Sequence, residues 1–201
     1  MMKWVTRRLR EYTGGPRFST AQTTLGYNPD PGYIACPHCN GIRVIDDIPG
    51  LRRILRGHKV IAVVGLSADW FRPSYFAAKY MQQHGYRIIP VNPRYSGQGD
   101  NTILDQRCYA SLRDIPEPVD MVDVFRRSED VLPIAQEAVA IGAKVLWQQL
   151  GVHNPQAVQV AEAAGLACVV DRCVKIEHAR LFGGLGWVGV NTRVISAKRP
   201  L

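Results

Sequence analysis

A chain of 201 residues with 46 % apolar side chains can bury one ordinary α/β core with some chain to spare. Its apolar runs all fall short of the roughly 18 residues of a membrane span, its basic N-terminus lacks the apolar stretch of a secretory signal, and five scattered cysteines suit reduced thiols in a cytoplasmic protein better than a disulfide framework. The net charge of +8 reads as general attraction for anions, but no basic stripe interleaved with aromatics marks a nucleic-acid surface, so a small molecule is the expected partner, without membrane.

Residues 1–57 read as an irregular N-terminal extension. Gly14-Gly15-Pro16 and Asn28-Pro29-Asp30-Pro31-Gly32 are loop signals, and Arg7, Arg8, Arg10, Arg17, Arg52, Arg53 and Arg56 hold part of the positive charge. A transit peptide over residues 1–24 is not expected, because the hydrophobic pattern there is weak. Cys36-Pro37-His38-Cys39 resembles one knuckle of a zinc ribbon. Zinc takes four ligands and no second CxxC exists, so no metal is expected unless two subunits share a site. Within 48–55, Leu51, Ile54 and Leu55 fall on one face of a short helix that should pack on the domain.

Residues 58–182 are regular. Apolar strands are predicted at 60–66, 86–92, 120–125, 144–150 and 167–170. Pro90 removes one ladder donor near the end of the second. A first helix starts at Pro73 and stops before Gly85. Ser128 is expected to cap a second, with Glu129 and Asp130 in its first turn and Val131, Ile134, Ala135, Ala138 and Val139 on its apolar face. Asn154-Pro155 opens a third, closed by Gly165. A short helix over 177–182 precedes a Gly-rich tail, 183–201. Apolar strands alternating with helices imply an α/β, doubly wound (Rossmann-like), mostly parallel sheet of about five strands with helices on both faces.

In such a sheet the ligand crosses the carboxyl ends of the strands. The first loop offers Gly65, Ser67, Ala68, Arg72 and a helix start at Pro73-Ser74, which suit a pyrophosphate. It lacks the second and third glycines of G-x-G-x-x-G, which argues against plain NAD. The second loop is Asn92-Pro93-Arg94. Neutral Asn92 stands where NAD sites place an acid, and Arg94 favours an extra ribose phosphate, as NADP and coenzyme A both carry. The third adds Phe125, Arg126 and Arg127.

From residue 59 to 181 the chain resembles the stand-alone coenzyme A-binding domain family, related to the N-terminal domain of the succinyl-CoA synthetase α subunit. The resemblance rests on Val63-Val64-Gly65-Leu66-Ser67, Arg72-Pro73-Ser74, Ile89-Pro90-Val91-Asn92-Pro93 and Ser111-Leu112-Arg113-Asp114-Ile115-Pro116. It continues through 119–127 (VDMVDVFRR), 142–151 (GAKVLWQQLG) and 171–178 (DRCVKIEH). It implies CoA with its diphosphate on the first loop and its adenosine end near Asn92-Pro93-Arg94. The pantetheine arm would run past Phe125, Arg126 and Gln149 toward Cys173. The ligase relatives also carry a phosphohistidine domain and an ATP-grasp partner. Neither is legible here, so the resemblance implies binding or regulation of CoA or acyl-CoA without ligase activity.

The alternatives are an NADP-dependent oxidoreductase, an acyl-CoA ligase or transferase fragment needing a partner, and an interaction module with a basic N-terminus that docks nucleic acid. No catalytic residue is expected. Cys173 and His178 could form an activated thiol pair, but a buried cysteine beside a packing histidine is the plainer expectation. Trp147 should be core. Trp70-Phe71 should shield the ligand or a dimer surface, which keeps a homodimer open, and His84 should cap or face solvent.

Overall fold

The computed structural model describes residues 34–35, 43–97 and 101–183. The Cys36–Cys39 knuckle, the loops at 13–32, the segment 1–24 and the tail from 184 onward lie outside the described residues.

The elements run β1 (Ile34–Ala35), β2 (Arg43–Val44), α1 (Ile48–Gly57), β3 (Val60–Val64), α2 (Pro73–Gln83), β4 (Arg87–Val91), β5 (Thr102–Ile103), β6 (Gln106–Arg107), β7 (Met121–Val124), α3 (Val131–Ala140), β8 (Val145–Gln148), α4 (Pro155–Ala163), β9 (Ala167–Val169) and α5 (Val174–Phe182). Five of the strands form one sheet in the order β4-β3-β7-β8-β9, every pairing parallel. The small pairs β1-β2 and β5-β6 are antiparallel. The doubly wound expectation holds, and each strand of the sheet is one to three residues shorter than expected, because its last residues enter the loop that crosses the sheet edge and β4, β7 and β8 also start one residue later.

Two cores sandwich the sheet. On one face Val64, Val122, Val124 and Leu146 pack with Val131, Ala135 and Ala138 of α3 and Ala157, Val158 and Ala161 of α4. On the other, Ile61, Val63, Met121 and Trp147 pack with Leu51, Ile54 and Leu55 of α1, Ala77, Ala78 and Met81 of α2, and Val174 and Leu181 of α5. Strict alternation along each strand sends successive residues to opposite faces, and both faces need cover, so the strands read as continuous apolar runs. Helix α1 lies within residues 1–57, and its apolar face packs on the domain as its spacing implies. The Ile45 amide donates to Cys168 O at 2.8 Å, tying the strand before it to the sheet.

Local chemistry sets the ends. Asp47 caps α1 by accepting from the Gly50 amide. Asn154 caps α4 by accepting from the Ala157 amide, with Pro155 at the first position. Pro90 is tolerated inside β4 because that strand is at the edge. Its carbonyl accepts from the Tyr109 amide. Ser128 corrects one expectation. It belongs to a single 3-10 turn, Ser128–Asp130, and its hydroxyl accepts from the His153 amide instead of capping α3. The last helix also begins a turn earlier than expected, at Val174, so Glu177 and His178 are mid-helix. Among the described residues no helix is long and apolar enough to cross a membrane.

Candidate ligand cavity at the carboxyl edge of the sheet

Numbered within the five-stranded sheet alone, the order is 2-1-3-4-5, and the winding reverses between β3 and β7. That switch point is where open α/β sheets leave a crevice. Gly65 makes it possible here. Its φ is +88°, and a Cβ there would meet Phe125 O at 2.6 Å and Arg126 Cδ at 2.9 Å. Any side chain would push apart the two loops that form the crevice, and the backbone is left-handed besides.

A cavity of about 800 Å³ opens at this edge, within the range of small-molecule sites. Thirteen of the fourteen site residues expected from sequence line it. Gly65, Ser67, Arg72, Pro73 and Ser74 come from the β3–α2 loop, and Asn92, Pro93 and Arg94 follow β4. Phe125, Arg126 and Arg127 follow β7, Gln149 follows β8, and Cys173 heads α5. Ala68 is exposed and lies outside the lining. Three lining residues escaped the sequence reading: Tyr95, Val152 and Ile176. Ile176 is one turn of α5 beyond Cys173, so an earlier helix start would have found it. Leu150 and Val152 flank Gly151, a left-handed turn whose amide donates to Asp171 Oδ1 at 2.6 Å.

The loops are braced by their own polar groups. The Ser67 amide donates to Ser74 Oγ at 3.2 Å, and Ser67 Oγ accepts from the Asp69 amide at 3.1 Å. Asn92 is buried and uses both ends of its carboxamide: Nδ2 donates to Leu66 O at 2.9 Å and Oδ1 accepts from the Arg94 amide at 3.1 Å. It therefore locks the first loop to the second, a bracing role that the sequence reading did not assign to it.

Charge divides the cavity. The β4, β3 and β7 loops carry Arg94, Arg72, Arg126 and Arg127. Arg72 lies 3.8 Å from Asp69, and Arg127 pairs with Glu129 and Asp130. Among the described residues Arg94 and Arg126 form no salt bridge. The β8–β9 end is lined by Leu150, Val152, Cys173 and Ile176 around Gln149.

Below Gln149 lies Asp123, an acid in an otherwise apolar strand. It is 2 % exposed, and Gln149 Nε2 donates to its Oδ1 at 2.7 Å. Burial pushes its pKa up to about 7 against the pull of Gln149 and the Val124 amide. Burial also raises the Cys173 thiol, which the amides of Ile176 and Lys175 lower and Asp123 raises further. Cys173 is therefore not an activated thiolate. His178 faces elsewhere: its Nδ1 is 3.2 Å from Tyr80 Oη, amid the rings of His84, Tyr86 and Phe182. Burial, then His84 and Lys59, lower its pKa to about 4. The thiol–imidazole pair is not formed: His178 packs among rings as the alternative has it, whereas Cys173 is half-buried in the cavity lining instead of buried in the core. His84 ends α2 with its ring stacked on Tyr80.

Trp147 is fully buried and donates to Arg172 O at 2.6 Å. Trp70 and Phe71 are 59 % and 67 % exposed, lie against each other with tilted rings whose centroids are 3.7 Å apart, and do not line the cavity. A buried ion group missed from sequence holds the α5 wall. Glu177, 2 % exposed, accepts from Arg172 at 3.1 Å and from Arg180. Among the described residues no group of three or more His, Cys, Asp or Glu side chains gathers to hold a metal.

Comparison with known proteins gives consistent relatives. The family described as a CoA binding domain matches residues 59–179. A Bacillus subtilis (strain 168) protein, described as uncharacterized protein YneT, is 40 % identical over 129 residues, spanning 64 % of this chain and 92 % of that protein. The ADP-forming acetate–CoA ligase II of Archaeoglobus fulgidus is 32 % identical over 99 residues, 48 % of this chain but only 14 % of the ligase. Among solved structures, a hypothetical protein from Pyrococcus horikoshii OT3 superposes with a TM-score of 0.65 at 38 % identity, covering 70 % of this chain and 97 % of that one.

Proposed function

The chain belongs to the CoA-binding domain family, and from that premise we propose that its carboxyl-edge cavity binds coenzyme A or an acyl-CoA, in a binding or regulatory role without ligase activity of its own. One observation carries the reading: a single cavity has arginines at one end and an apolar, uncharged wall at the other. Coenzyme A is a molecule of that design, with three phosphates on its adenosine half and a neutral pantetheine arm on the other. The phosphates would meet Arg72, Arg94, Arg126 and the start of α2. The arm would pass Phe125 and Gln149 toward Cys173. The 99 residues that align with the acetate–CoA ligase support a CoA site in this part of the chain.

The test is calorimetric titration of the full chain with CoA, acetyl-CoA, dephospho-CoA, NAD and NADP. Micromolar CoA binding that weakens on Arg94→Ala supports the proposal. Tight NADP binding without CoA binding overturns it in favour of a nicotinamide enzyme. Incubation with acetyl-CoA and no release of free thiol is the expected outcome of a turnover assay.

A further inference from the structure

The uncharged end of the cavity contains a polar side chain that the fold uses only in part. Gln149 is 3 % exposed, and its Nε2 is committed to Asp123. Its Oε1 accepts from no described residue, and it is open to the cavity rather than sealed in protein. A ligand N–H that reaches this oxygen, in a lining shared with Leu150, Val152 and Ile176, gains a hydrogen bond in largely apolar surroundings.

Asp123 decides which end of that amide faces outward. It stands on β7 between Val63 of β3 and Trp147 of β8, so neither neighbouring strand offers it another polar partner at its own level. The Val124 amide favours the ionised form of the same carboxyl group. A carboxylate only accepts, so it holds Nε2 and turns Oε1 toward the cavity.

We propose, resting on the CoA reading, that Asp123 is a positioning residue that makes the uncharged end present a hydrogen-bond acceptor, and that this acceptor takes an amide N–H of the pantetheine arm. The contact is to the arm and not to the acyl group, so CoA and acetyl-CoA are read alike. Adenosine 3′,5′-bisphosphate, which lacks the arm, is not read at all.

The experiment compares those three ligands at pH 8, where Asp123 is ionised, in wild type and Asp123→Asn. Asparagine fills the same space but donates as well as accepts, so it no longer fixes the amide of Gln149. The expected result is a loss of about fivefold for CoA and for acetyl-CoA, with the bisphosphate changed less than about twofold. Equal losses for all three ligands, or no loss, overturn the inference. Should circular dichroism show Asp123→Asn unfolded, Gln149→Met removes the acceptor at similar bulk and must give the same split. If wild type binds CoA no tighter than the bisphosphate, this inference falls while the phosphate half of the CoA reading stands. If wild type binds none of the three, both fall.

Discussion

The two ends of the cavity are built on opposite principles. At the β4–β3–β7 end, Arg94 and Arg126 reach in from exposed loop positions. Their charge acts at range and falls with salt, and their side chains can follow the ligand. At the β8–β9 end, Gln149 and Asp123 are buried and bonded to each other at 2.7 Å. They act only in contact and only in one orientation. A site of this kind captures with one end and discriminates with the other, and Gly65 is the junction at which the β3 and β7 loops of the capturing end meet.

Removing that junction should have the largest effect. Gly65→Ala forces a left-handed backbone on alanine and sets a Cβ 2.6 Å from Phe125 O. We expect a loss of stability of about 4 kcal/mol or more. The residual folded protein should fail to bind ligand, because the loop after β7 must move away. Urea unfolding monitored by the near-ultraviolet signal of buried Trp147 measures it. A variant as stable as wild type sinks the view that the two loops meet through this glycine.

The buried end can be probed through pH. The folded state keeps Asp123 protonated up to about pH 7, whereas the unfolded chain releases that proton near 3.8. The folded state therefore binds more protons between these values, and this group's contribution to stability falls as pH rises from about 4 to 7. His178 has the opposite sign. Its folded pKa of about 4 lies below the ordinary 6.5, so its contribution is present above 6.5 and lost as pH falls toward 4. In wild type the two partly cancel. Asp123→Asn removes the first, so relative stability should climb with pH across that window. The gain over wild type at pH 8 should be on the order of 2 kcal/mol. Equilibrium unfolding at pH 5 and pH 8 reads it, and a variant no more stable than wild type at pH 8 contradicts the burial of a charge-bearing carboxyl group.

The difference between the ends also explains what could be read in advance. Loop arginines after apolar strands are visible in a sequence, because a strand end and a charge are both local facts. Arg94, Arg126 and Gly65 were legible for that reason, as were the five strands themselves. Asp123 was in plain view as the one acid of Met121-Val122-Asp123-Val124. Its meaning depended on Gln149, which stands 26 positions away and meets it only across β8. Analogy with nucleotide sites makes Asn92 a ligand-facing residue. Its bracing of Leu66 and Arg94 needs the folded loops. Ser128 had the right residue type for a cap, and the His153 amide took its hydroxyl instead.

At the exposed end, Arg94→Ala should weaken CoA about tenfold and dephospho-CoA far less, because the 3′-phosphate is the group it would face. The difference should shrink as salt rises from 0.05 to about 0.5 M, since both partners stand in water. Equal weakening of the two ligands would place Arg94 on the diphosphate instead. The same salt series on Asp123→Asn should leave its ligand ratio unchanged, and that contrast separates the two ends in one experiment.

Arg127→Ala should have the smallest effect, although Arg127 lines the same cavity and carries the same charge. Its guanidinium already pairs with Glu129 at 3.2 Å and Asp130 at 3.3 Å, and its side chain is 74 % exposed. An exposed pair of this kind stabilises the fold by little, and the two carboxylates must be given up before the arginine can serve a phosphate. Its loss should therefore change CoA affinity by less than about threefold, with Tm unchanged within about 1 °C. The double change Glu129→Gln with Asp130→Asn sharpens the point: it frees Arg127 and should tighten CoA binding, most of all at low salt. An Arg127→Ala loss as large as that of Arg94→Ala would mean that ligand draws Arg127 out of its pairs, and the charge of the cavity would then be set by the ligand rather than by the loops.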